Sequence, residues 1–62
     1  MDAGAHYNLA SVYSLLKRER EAVQSLERTV VLQPTLREDA TVDEDFENIR
    51  EDEGFARLLM GL

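Results

Sequence analysis

The side chains that could do chemistry in this chain are one histidine, three serines and many carboxylates, and their spacing argues against most of it. His6 is the only imidazole, and there is no cysteine. A zinc site normally gathers several nitrogen or sulfur ligands, so His6 reads as a half-buried packing residue. Ser11, Ser14 and Ser25 lie in no Gly-rich elbow and have no His and Asp set around them. Gly4, Gly54 and Gly61 are scattered, which leaves no loop to cradle a phosphate. Asp43, Asp45 and Glu47 alternate like the start of an EF-hand loop, yet the sixth loop position is Asn48 instead of Gly and the twelfth is Gly54 instead of Glu. Acid and base work by paired carboxylates needs a dry cleft that shifts one pKa, and 62 residues are too few to build one. The carboxylates read as a solvated face. The expectation is a protein that is not an enzyme and holds no metal or cofactor.

The acids are unevenly placed. Residues 1–34 carry four bases and four acids, whereas residues 35–62 carry three bases and nine acids, so the formal charge of −6 belongs entirely to the second half. That half would repel a phosphate backbone, and the 6% aromatic content offers little surface on which bases could stack, so nucleic acid is not an expected partner. Runs such as Val30 to Leu32 and Leu58 to Met60 are far too short to cross a bilayer, and the start of the chain has no basic stretch followed by an apolar one. Without cysteine nothing points to an oxidising compartment, so a soluble, cytoplasmic protein with no membrane partner is expected.

The elements that must position these residues are helical. Asp2 can cap a first helix whose Ala5, Leu9, Val12 and Leu16 recur at helical spacing, with Ala10 and Tyr13 on the adjoining stripe. Lys17 to Glu21 are five charged residues in a row, a solvated corner that sends the chain back antiparallel. A second helix, about Glu19 to Gln33, points Ala22, Val23, Leu26, Thr29, Val30 and Gln33 inward and Gln24, Glu27 and Arg28 outward. Small Ala10 and Ala22 suit the closest crossing of two helix axes, and Pro34 ends the second helix. Short pieces follow: a turn or two from Thr35 to Ala40, an acidic Thr41 to Phe46 stretch with Thr41 and Glu44 in capping-box spacing, and a last helix near Glu53 to Met60 capped by Asp52 and stopped by Gly61. Phe46 with Ile49, and Phe55 with Leu58, each project to one side.

The stretch from Ala5 to Pro34 resembles a tetratricopeptide repeat, a helical pair of 34 residues with fixed large and small positions. Leu9, Tyr13, Ala22 and Pro34 match the family's preferred residues. Ala10 stands where Gly or Ala is usual, Leu26 where an aromatic or Leu is usual, and Thr29 replaces a customary Ala. His6 departs from a place usually aromatic, with Tyr7 beside it. The form from Asp43 to Leu59 is similar to the ends of many bacterial tetratricopeptide chains, where short helices close the last repeat. The resemblance implies an all-α fold in one compact domain: a helix-turn-helix over 1–34 and an acidic helical cap over 35–62.

In peptide-binding members of that family the first helix lines a groove, and the positions implied here are Tyr7, Asn8, Ser11, Ser14 and Leu15. Asn8 alone matches the residues that grip a terminal carboxylate, and no base lies between Tyr7 and Leu16, so a carboxylate clamp is not supported. One helical pair cannot cover both its faces. Phe46, Ile49, Phe55, Leu58 and Leu59 are expected to cover the downstream side, leaving the upstream side, with Tyr7, Leu15 and Val31, for a partner. The expectation is a protein-interaction or scaffolding module at the C-terminal end of a repeat array, its partner a protein or peptide, upstream repeats included. The alternative is a structural subunit that pairs with a second copy of itself.

Overall fold

Asp2 begins the first helix as the spacing predicts: its carboxylate accepts the Ala5 N–H at 2.8 Å, and α1 runs over Ala3–Leu15. A computed structural model describes residues 2–61, and among these the fold is all-α. The end of α1 is a Schellman turn. The Lys17 N–H donates to the Ser14 carbonyl and the Arg18 N–H to the Tyr13 carbonyl, which requires Lys17 to adopt a left-handed φ of 61°. Two residues later α2 starts, Glu19–Leu32, ending one residue before the predicted Gln33, which is its C-cap ahead of Pro34.

The two helices cross through small side chains. Ala10, Ser11 and Ser14 of α1 are buried, and so are Ala22, Ser25, Leu26, Thr29 and Val30 of α2. Thr29 satisfies its buried hydroxyl by donating to the Ser25 carbonyl one turn back, at 3.0 Å. The inward stripe of α2 agrees with its periodicity apart from Gln33, which is exposed. The stripe of α1 does not. Leu9, Val12 and Leu16 were expected to face the core and instead remain 37%, 50% and 62% exposed. From Ala3 to Leu16 this helix carries no Asp, Glu, Lys or Arg to mark an outer face. Selection falls to packing, which favours the alanine and serine side because axes 8–10 Å apart admit only small groups.

Beyond Pro34 the chain forms α3 (Leu36–Val42), a 3₁₀ helix (Glu44–Ile49) and α4 (Glu53–Met60). The expected capping box at Thr41 is not used. Thr41 lies inside α3, where its hydroxyl donates to the Arg37 carbonyl, and Asp43 does the capping by accepting the Asp45 N–H at 2.9 Å. Asp52 caps α4 through the Phe55 N–H, and Gly61 closes it at φ 77°, a left-handed conformation that costs glycine nothing. Phe46, Phe55 and Ile49 are almost wholly enclosed and join Leu26, Ala10, Ala22 and Ala40 in one core. The rings of Phe46 and Phe55 lie 5.6 Å apart, and Leu58 and Leu59 pack partly buried against the same cluster. Phe46, Ile49 and Phe55, fully enclosed, each contribute roughly 1.5–3 kcal/mol by leaving water, so the tail supplies much of the core on which the hairpin depends.

Candidate interaction surface

Two flanks of α1 differ in what meets them. On the first, the tail docks through a small set of polar contacts arranged around Asp43. One carboxylate oxygen of Asp43 caps the 3₁₀ helix, and the other accepts the Tyr7 hydroxyl at 2.6 Å. Burial of the phenol comes first among the causes that push its pKa well above the ordinary range, followed by the bond to Asp43 and the nearby Asp39 and Asp45 charges. Tyr7 therefore keeps its proton and donates it. Its ring meets Phe46 edge-on at 5.5 Å.

Two turns further along α1, the Ser14 hydroxyl donates to the Asp45 carbonyl at 2.6 Å, and the Asn48 amide donates to the Ser14 carbonyl at 3.3 Å. Arg50 holds the loop from the far side. Its guanidinium donates to the Thr41 carbonyl at 2.7 Å, to the Asp43 carbonyl at 3.0 Å and to the Glu47 carboxylate at 3.1 Å. A flat fork with donors on three nitrogens suits this convergence better than an ammonium would.

These contacts revise the expected groove. Ser14 is fully buried and Ser11 nearly so, which removes both from any open surface, and Tyr7 is half-buried beneath the tail. Asn8 and Leu15 remain exposed. Tyr7 is thus no part of an uncovered upstream face, whereas Leu15 and Val31 stay open to solvent, Val31 most of all. Burial of the serines follows from the close approach of the 3₁₀ helix, which only a small side chain at position 14 permits.

The second flank is open. An apolar strip of Ala5, Leu9, Val12 and Leu16 runs along α1, bordered by a groove of about 610 Å³ between the helices that includes His6, Leu9, Tyr13, Gln24 and Arg28. Towards the end of α2, His6 and Arg28 stand beside Val31 and Leu32. The strip itself is aliphatic, whereas the groove beside it is mixed, with Glu21, Gln24, Glu27 and Arg28 of α2 along its far wall. Among the described residues no three His, Asp or Glu side chains are grouped to hold a metal ion, and no helix is long and apolar enough to cross a membrane. No family model, curated protein or solved structure matches the chain.

Proposed function

We propose that the chain is a non-enzymatic protein-interaction or scaffolding module, a tetratricopeptide-like hairpin sealed on one flank by its own tail and open on the other to a helical protein surface. The observation that carries this reading is the exposed aliphatic strip. In a chain that is 32% charged, Leu9, Val12 and Leu16 line one side of a helix without an ionised neighbour on that helix. A contiguous patch of this kind marks a surface meant to be covered.

As the C-terminal end of a repeat array, the module would receive the preceding repeat there. The second reading, a subunit that pairs with its own copy, is favoured by the absence of ionised side chains from Ala3 to Leu16, because two copies meet without opposed like charges. Amide chemical-shift mapping with a designed two-repeat consensus array lacking its C-terminal cap tests the module reading. Shifts should concentrate at Leu9, Val12, Tyr13 and Arg28. Shifts confined to Asn48, Arg57 or other tail positions would place the contact on the wrong flank and overturn it.

A further inference from the structure

We infer that the open flank pairs with the same flank of a second copy, α1 against α1 in antiparallel orientation about a two-fold axis. This rests on the reading of that flank as an interaction surface and names its partner. The strip residues Ala5, Leu9, Val12 and Leu16 are separated by four, three and four positions, a spacing that is the same read from either end. Reversing one copy therefore brings Ala5 opposite Leu16 and Leu9 opposite Val12, each pair occurring twice. Ala5 meets Leu16 at the ends, and Leu9 meets Val12 at the centre. Interlocking at such spacing is that of helices crossing at about +20°.

Charge selects the same orientation. Exposed Asp2 stands at the start of α1 and exposed Lys17 and Arg18 at its end. An antiparallel pair sets the acid of one copy near the bases of the other at both ends, whereas a parallel pair would put Asp2 against Asp2, Lys17 against Lys17 and Leu16 against Leu16. The molecule's −6 charge lies in residues 35–62, and the tail packs on the Ser14 side of α1, away from the strip. The two acidic tails are thereby held apart. A two-fold contact of this type closes on itself, so assembly stops at the dimer.

Sedimentation equilibrium of the full chain from about 10 µM to about 1 mM should show reversible monomer and dimer without larger species. Val12→Arg should weaken dimerisation at least about tenfold while the thermal midpoint of the dilute monomer stays unchanged, since the side chain is half exposed. Leu9→Lys mixed with Val12→Glu should form a heterodimer where neither variant pairs alone, because position 9 faces position 12 of the other copy. A wild-type chain that stays monomeric, a dimer untouched by Val12→Arg, or a mixed pair that fails to form while each variant remains folded would each overturn the pairing. Titration with the same two-repeat consensus array separates the two levels. A monomer that binds the array through Val12 sinks the second copy as partner and leaves the module intact, and a monomer that binds neither sinks both.

Discussion

Asp43 shows how much one side chain can do in a small protein. It caps the 3₁₀ helix with one oxygen, receives the Tyr7 hydroxyl with the other, and offers its carbonyl to Arg50. The Tyr7 contact ties residue 7 to residue 43, so it contributes to tertiary rather than local order. Because the folded phenol titrates above its ordinary value of about 10, the folded state binds the proton more tightly than the unfolded state does. The stability from this group is fully present below about pH 10 and is lost as pH rises toward the folded pKa, with a limiting slope of about 1.4 kcal/mol per pH unit. Tyr7→Phe should cost about 0.5–1.5 kcal/mol at neutral pH and remove that part of the alkaline decline. Urea unfolding of both chains from neutral to strongly alkaline pH reads this directly, and parallel curves throughout would show that the Asp43 bond does not form.

At the scale of elements, the hairpin depends on a turn made with an unsuitable residue. Lys17 holds a left-handed backbone that a side chain with a Cβ adopts at a cost, and its exposed position shows no burial to offset it. Lys17→Gly should stabilise the chain by about 1 kcal/mol, a rise in melting midpoint of roughly 4–8 °C for a domain of this size. A calorimetric midpoint that stays put or falls would mean that the Schellman turn is not the native ending of α1. The inward stripe of α2, the ends of both long helices, and the caps at Asp2 and Asp52 were legible in the residues because each depends on neighbours a turn away. The Thr41 capping box was misleading for the same reason. Two spacings compete within a few residues, and Asp43 prevails through its added bond to Tyr7 across the fold.

Across the whole molecule, hairpin and tail stand or fall together. Phe46, Ile49 and Phe55 of the tail are enclosed with Leu26 and the helix-crossing alanines, and a domain below about 70–80 residues rarely draws more than about 3–5 kcal/mol from its core. Phe46→Ala should remove about 3–5 kcal/mol. It is therefore expected to melt α1 and α2 along with the tail in one transition, followed by circular dichroism and by amide peaks of both halves. Loss of tail peaks alone, with a hairpin still folded, would contradict a shared core. The open flank and the core are coupled by this arrangement, since the tail pins the Ser14 flank and in doing so turns the Leu9 and Val12 flank outward.

Helix positions, their caps and the aromatic anchors of the tail follow from side-chain pattern and backbone capping, which act over one or two turns and need no knowledge of the rest of the chain. Which side of α1 faces inward does not follow in that way. Ala5, Leu9, Val12 and Leu16 make a better apolar stripe than Ala10, Ser11 and Ser14, and transfer from water alone would bury the former. Close packing against α2 and the 3₁₀ helix reverses the choice, because only the small side chains let three backbones approach and only they leave room for the Ser14 and Tyr7 hydrogen bonds. The open face of this protein is thus set by what the rest of the chain can bring near α1, a property of the assembled packing and not of any one segment.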